Sequence, residues 1–250
     1  MDDMYNPFSL KGKTILVTGA SSGIGRETAI ECSKLGANVV ITGRNKERLQ
    51  ETFSMLIDGD NIQFIADLTN NIEMEELVKN TPVLNGVVSC AGVNQIAPFG
   101  FWKRDKMDFL FETNYFAPVT LLQMLVKKKK IAKDSSIVLV SSIGGVEQIT
   151  IGNGLYGASK SALNSAMKYM AKELAPKKIR VNSVNPGMVN TKLIQNESIS
   201  EEQLKKDIER YPLKRYGEPI DIAHGIIFLL SDASSWMTGH PLVIDGGCTI

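Results

Sequence analysis

The chain is short of most residues that mark a function at a glance. Its three cysteines (Cys32, Cys90 and Cys248) are odd in number and widely scattered. That pattern argues against a disulfide framework and sets the expectation of reduced thiols in a cytoplasmic protein. Only two histidines are present, His224 and His240, and no cysteines pair at ligand spacing, so a structural zinc site is not expected. No apolar run approaches the roughly 18 residues of a bilayer-spanning helix. The opening stretch, MDDMYNPFSL, lacks the basic and then apolar regions of a signal peptide. Charge of one sign is missing too: 28 Lys+Arg stand against 27 Asp+Glu, a net charge of +1. A sequence-independent nucleic-acid binder needs an electrostatic excess that this chain does not have. With 250 residues, 43% of them hydrophobic, and no repeat or Pro/Ser-rich linker, one large domain over residues 1–250 is the expectation.

Strand-length apolar runs alternate with helix-period segments. Thr14–Thr18 is a compact β-branched run ending in glycines, and Ile24–Leu35 follows with helical spacing until Gly36 stops it. Asn38–Thr42 is the next strand and Lys46–Ile57 the next helix. Ile62–Ile65, Gly86–Ser89, Ile137–Val140, Ile179–Val184 and Leu242–Ile244 are further strands, with helical candidates between them. Strands apolar on both faces and separated by helices predict a doubly wound α/β fold with a parallel sheet covered on both sides. Ligands of such folds bind outside the carboxyl ends of the strands. One stretch, about 188–217, departs from the alternation. It is polar, carries the charged helical residues Glu201–Arg210, and reads as a lid or substrate segment.

The turn after the first strand is Thr18-Gly19-Ala20-Ser21-Ser22-Gly23-Ile24-Gly25. Glycines there allow a tight turn and close approach to a pyrophosphate, and the following helix offers free N–H groups and a positive dipole end. The spacing is G-x3-G-x-G, not the commonest G-x-G-x-x-G. The plain alternative is a tight strand–helix connection. An NAD binder places a carboxylate about 20 residues further on, to accept from the ribose hydroxyls. Here the second strand ends Thr42-Gly43-Arg44-Asn45 with no carboxylate. Arg44 offers a guanidinium suited to a phosphate dianion, which favours NADP(H) over NAD(H); otherwise it is a solvated arginine opening the next helix. Asp67 either accepts from an adenine amino group or caps the helix beginning near Asn71.

Tyr156-Gly157-Ala158-Ser159-Lys160 opens a helical stretch running to about Leu174. At i and i+4, Tyr156 and Lys160 share one helix face. A phenol with a pKa near 10 transfers protons poorly at neutral pH, and a neighbouring ammonium, with the positive charge of an oxidised nicotinamide, is expected to lower it. Ser142, ending the fifth strand, offers a hydroxyl to a substrate carbonyl; periodicity alone does not separate it from Ser141.

Together these motifs resemble the short-chain dehydrogenase/reductase family, in its shorter single-domain subclass, over nearly the whole chain. The resemblance implies a Rossmann-type fold with a seven-stranded parallel sheet. Thr18 to Gly25 resembles the family's TGxxxGxG turn, so Gly19, Ser21, Ser22, Gly23, Ile24 and Gly25 fall in the cofactor set. Asp67, with Leu68, resembles its adenine-contacting aspartate. Tyr156 and Lys160 resemble its YxxxK pair, with Ser142 as the catalytic serine and Asn114 as the asparagine that holds a relay water. Asn185-Pro186-Gly187 resembles the loop at the nicotinamide, which brings in Val189, and Thr191 resembles the hydroxyl binding cofactor phosphate or carboxamide. By that similarity Tyr156 is the general acid for reduction and the general base for oxidation, while Lys160 also holds the nicotinamide ribose. One segment departs: the family's NNAG is here Ser89-Cys90-Ala91-Gly92. Ala91 and Gly92 keep the close backbone approach, but both asparagine side chains are gone, and Cys90 reads as a small buried hydrophobe.

Substrate choice is expected to reside in Gln95–Trp102, Gly145–Leu155 and Met188–Tyr216. The first holds Ile96, Pro98, Phe99, Phe101 and Trp102, an apolar set for a pocket or a subunit contact. Lys127–Lys130, with Lys172, Lys177 and Lys178, either receives an acidic acyl carrier protein or is a solvated helix end. Relatives suggested by the resemblance include 3-oxoacyl-carrier-protein reductases, ranked first, and sugar, polyol and steroid dehydrogenases. The resemblance also implies a homotetramer; the spacing of Leu163, Ala166, Met167, Met170 and Leu174 fits either a subunit interface or packing on the sheet.

Overall fold

The computed structural model describes residues 5–191 and 206–250. Its strands are β1 (Thr14–Thr18), β2 (Asn38–Gly43), β3 (Ile62–Ile65), β4 (Leu84–Ser89), β5 (Ile131–Val140), β6 (Arg180–Pro186) and β7 (Pro241–Ile244). They form one sheet in the order β3-β2-β1-β4-β5-β6-β7, with every neighbouring pair parallel. The chain runs outward from β1 to β3, crosses back, and continues from β4. The strand order therefore reverses between β1 and β4, which opens a crevice at their carboxyl ends.

The period of two along each strand divides the core. Ile15, Val17, Val39, Ile41 and Val138 point to one face, where α1 (Gly23–Lys34) and α7 (Pro219–Leu230) supply Ala29, Cys32, Ile222 and Ile226. Leu16, Val40, Val87, Ile137 and Leu139 point to the other. That face is covered by α3 (Asn71–Asn80), α5 (Ala117–Lys127) and α6 (Gly154–Leu174) through Met74, Leu121, Leu125, Leu163 and Met167. Fully burying each such side chain contributes about 1.5–3 kcal/mol. Leu163 and Met167 thus spend the apolar spacing of α6 on the sheet rather than on a partner.

Beyond end shifts of one to three residues, two regions differ from expectation. A continuous central helix over Lys106–Lys130, as the helical pattern between the fourth and fifth strands suggests, is not what forms: α4 (Arg104–Phe111) and α5 are joined by a π-helical turn, Glu112–Phe116. The widened turn carries Asn114, which is fully buried. Strand β5 starts six residues early, at Ile131, through a polar stretch in which Asp134 takes a left-handed φ of 58°. A further helix, α2 (Lys46–Ser54), starts at Asn45, whose side chain accepts from the Arg48 N–H. In the segment 188–217, residues 192–205 lie outside the described residues, including part of the charged stretch Glu201–Arg210. Its base is closed by hydrogen bonds from Asn190 N–H to Gly217 and from Gly217 N–H to Met188, at 2.8 and 2.9 Å. Among the described residues no helix is long and apolar enough to cross a membrane.

Candidate active site

At the carboxyl ends of the strands lies a cavity of about 930 Å³. Its first wall is the β1–α1 turn. Gly19 takes a φ of +65°, and a Cβ there would stand 2.8 Å from the Ala91 nitrogen. A Cβ on Gly25 would stand 2.5 Å from the Gly19 carbonyl oxygen. Neither space admits a side chain. Thr18 Oγ1 accepts from the backbone N–H groups of Cys90 and Ala91 at 3.1 and 3.3 Å. The turns after β1 and β4 are therefore joined through backbone donors, and the Ser89-Cys90 departure leaves that joint whole. Burial pushes the Cys90 thiol up to about 12, against a smaller lowering by the Lys160 charge, which keeps it protonated and unreactive. Ser22 at the N-cap of α1 makes no side-chain cap bond, so the helix's first N–H groups face the cavity unclaimed by a cap.

Beyond the glycines stand Arg44 and Asp67, with Arg44 Nη1 3.6 Å from Asp67 Oδ2. Partial burial raises the Asp67 pKa, but two hydrogen bonds from Thr69 and the Arg44 charge outweigh it and hold the carboxyl below its usual range. Asp67 does not cap α3; Asn70 does, accepting from the N–H groups of Ile72 and Glu73. Arg48 also lines this part of the cavity.

The reactive side is built on the first turns of α6. Ser142 and Ser141, indistinguishable by periodicity, part company here. Ser141 is buried, and its hydroxyl donates to the Lys160 carbonyl at 3.1 Å. Ser142 lies just past β5, caps a short 3₁₀ turn, Ile143–Gly145, and shares the cavity wall with the Tyr156 phenol, whose pKa it lowers. The Lys160 Nζ is 5.8 Å from the centre of the Tyr156 ring and donates to the Val140 carbonyl at 2.9 Å. Burial pushes this ammonium down to about 8. Burial likewise pushes the Tyr156 phenol up to about 12, and the Ser142 hydrogen bond lowers it only in part. The expected lowering by the Lys160 ammonium is thus not what governs the phenol: desolvation is the larger effect.

All the proposed residues line the cavity except Asn114: the turn residues Gly19 and Ser21 to Gly25, then Arg44, Asp67 and Leu68, then Ala91 and Gly92, and, at the reactive end, Ser142, Tyr156, Lys160, Pro186, Gly187, Val189 and Thr191. Asn114 stands behind the wall. Its amide donates to the Val93 carbonyl and the Ser159 hydroxyl, at 2.9 and 3.1 Å, and its Oδ1 accepts from Val93 N–H at 2.9 Å. Of the three expected substrate segments, the cavity takes in Ile96, then Gln148 to Ile151, then Met188, Asp207, Arg210 and Tyr211. The last three were expected only as members of a long segment and not one by one, because only the fold decides which side chains of a stretch so far from Tyr156 return to the same mouth.

A nucleotide crevice with a Ser–Tyr–Lys constellation at one end defines a class, and comparison with known proteins agrees. The family model described as Enoyl-(Acyl carrier protein) reductase matches residues 19–249. The chain is 33% identical over 249 residues to L-xylulose reductase of Caenorhabditis elegans, covering 96% of this chain and 97% of that protein. It is 34% identical over 238 residues to a 3-oxoacyl-[acyl-carrier-protein] reductase of Rickettsia felis, covering 95% and 97%. A solved short-chain type dehydrogenase/reductase from Mycobacterium ulcerans superposes with a TM-score of 0.86 at 32% identity, covering 96% and 91%. The chain belongs to the short-chain dehydrogenase/reductase family. It is an oxidoreductase of that family, whose members use an NAD(P) cofactor, and the glycine cradle and uncapped α1 N-terminus fit the pyrophosphate of such a group.

Proposed function

We propose that the chain is an NADP(H)-dependent oxidoreductase that reduces a ketone to a secondary alcohol, or runs the reverse, with a 3-oxoacyl group on acyl carrier protein as the leading substrate. The observation that carries this reading is the convergence of Ser142, Tyr156 and Lys160 on one wall of the cavity, with the buried Lys160 Nζ 5.8 Å from the centre of the Tyr156 ring. The glycine turn and the α1 N-terminus would hold the pyrophosphate, and Arg44, helped by Arg48, the ribose phosphate. The nicotinamide, when bound, supplies or takes the hydride. Tyr156 donates its proton to the carbonyl oxygen as that oxygen gains negative charge. A phenol at about 12 is fully protonated at neutral pH, the form a general acid needs, and an alkoxide is basic enough to take the proton from it. Ser142 holds both the phenol and the substrate oxygen in line. Lys160 faces the same ring and would hold the ribose hydroxyls, while Asn114 braces the Val93 backbone against α6.

The carrier-linked substrate is supported by the Rickettsia relative and by the exposed lysines at the end of α5. A polyol or sugar substrate is the second reading, favoured by the Caenorhabditis relative and by the polar Gln148, Thr150 and Asn153 on the cavity wall. The proposal takes the chain as one dinucleotide-binding domain with a substrate segment at 188–217. It also includes a homotetramer, supported by Tyr169 on α6 at 70% exposure and by the exposed rings of Phe109 and Phe116. A cytoplasmic location agrees with the three unpaired cysteines.

Tyr156→Phe tests the core of this. With a 3-oxoacyl thioester and a ketose assayed in parallel with NADPH and NADH, kcat is expected to fall by about 10²–10⁴. NADPH affinity, read by fluorescence titration, should change by less than about threefold, because only a transferable proton is lost. Turnover close to wild type would remove Tyr156 from the chemistry, and no turnover by the wild-type enzyme with any carbonyl would favour a non-catalytic NADPH-binding protein.

A further inference from the structure

Trp102 is one of two tryptophans in the chain. The structure seats its ring against the start of α6, where a Cβ built on Gly154 would stand 2.6 Å from Cζ2 and 3.2 Å from Cη2. The indole N–H donates to the Ala97 carbonyl at 3.0 Å, and the Ala97 N–H donates to the Gly152 carbonyl at 2.8 Å. Phe99 meets the indole edge-on with ring centres 5.1 Å apart. The segment after β4 and the segment before α6 are thus tied by a ring-on-backbone contact as well as hydrogen bonds. Glycine in a helix costs about 1 kcal/mol relative to alanine, yet Gly154 opens a helix of 21 residues. The local reason is room for the indole.

On the other flank of the same turn, a Cβ on Gly157 would stand 2.9 Å from the Gly144 carbonyl oxygen, and one on Gly145 would stand 2.8 Å from the Lys160 backbone. Tyr156 lies between Gly154 and Gly157, and Ser142 caps the 3₁₀ turn that contains Gly144. We propose that Trp102 is a positioning residue that wedges the first turn of α6 against Ile143–Gly145 and so holds Tyr156 at Ser142. The inference rests on the reading above that Tyr156 is the proton donor.

Gly154→Ala places a methyl group where a rigid ring stands, so the ring or the helix turn must shift. Trp102→Phe removes the outer ring that bears Cζ2 and Cη2 and makes room for that methyl. Misplacement of a reacting group by about 1 Å can cost about 10²-fold, so Gly154→Ala is expected to lower kcat by about 10- to 100-fold. The KM for NADPH should stay within about twofold, since the adenosine half is untouched. The double variant Gly154→Ala/Trp102→Phe should recover to within about threefold of Trp102→Phe alone, a non-additivity expected only of groups in contact. A double variant no better than Gly154→Ala, or a KM for NADPH that rises as far as kcat falls, overturns the proposal.

A second readout needs no turnover. Trp236 is 100% exposed, so Trp236→Phe leaves Trp102 as the sole indole. In that background Gly154→Ala should shift the emission toward that of a solvated indole, and unchanged emission also overturns the proposal. Absence of wild-type turnover with a normal emission shift would instead sink the reading of Tyr156 and leave the wedge standing.

Discussion

The two ends of the cavity use cations in opposite ways. Arg44 keeps 60% of its side chain exposed and meets Asp67 at 3.6 Å, in water, where such a pair contributes about 0–1 kcal/mol. Lys160 is 4% exposed, bonded to the Val140 carbonyl, and pushed down to about 8 by burial. Arg44 costs the fold little and is free to turn toward a ligand phosphate. Lys160 costs the fold stability and is fixed. A residue that selects a ligand can be solvated and mobile, whereas one that serves a proton donor must hold one geometry in a dry site.

The sharpest way to break this contrast is Lys160→Met. Its kcat is expected to fall by about a thousandfold, within the range spanned by loss of acid–base machinery. The same variant carries a stability signature. The unfolded chain keeps the lysine proton up to about pH 10.5 and the folded protein only to about 8. Between those values the unfolded state binds more protons, so wild-type stability rises with pH through that window, and below it the buried charge costs about 3 kcal/mol. Methionine carries no charge, though it leaves the Val140 carbonyl without its donor at every pH. Stability of the variant relative to wild type should therefore drop by about 3 kcal/mol as pH rises from below 8 to above 10.5, as read by urea unfolding. A difference independent of pH would show that the ammonium is not in a dry site.

The same contrast explains how much could be read in advance. Strands β1 and β3 fall where the apolar runs Thr14–Thr18 and Ile62–Ile65 place them, because their signal is local and period-bound. The glycine turn, Arg44, Tyr156 and Lys160 were legible for the same reason: each belongs to a short motif. The break in the central helix was not, since Asn114 turns inward to Val93 and Ser159, and those partners lie 21 and 45 residues away. Nor was the separation of Ser141 from Ser142, which depends on which hydroxyl faces α6. The upward shift of the phenol in the protein alone is not legible either, because burial is a property of the assembled site, and the sequence shows only the neighbouring charge.

Arg44→Asp probes the solvated end. A hydrogen bond to a charged group is worth about 1.5–3 kcal/mol, so the preference for NADPH over NADH should fall by about 10- to 100-fold. The new carboxylate would also face Asp67 as a like charge, in place of the 3.6 Å ion pair, which further repels the ribose phosphate. Parallel titrations with the two cofactors measure the ratio. An unchanged ratio would make Arg44 a solvated bystander and leave Arg48 to be tested in its place.

The weakest expected effect lies outside the cavity, on the lysines at the end of α5. Lys130 is not part of a docking patch: its ammonium donates to the Lys79 and Thr81 carbonyls at 3.0 and 2.6 Å and ties down the end of α3. Lys128 and Lys129 are exposed and follow the last turn of α5, where they can meet an acidic carrier. Reversing both charges should raise KM for a carrier-linked 3-oxoacyl substrate by about three- to tenfold and leave a small thioester analogue unaffected. Added salt should shrink the difference, because exposed charges are screened beyond about 10 Å at 0.1 M ionic strength. Equal effects on both substrates would remove the carrier from this face, and the polar wall around Gln148 and Asn153 would then argue for a free hydroxylated ketone.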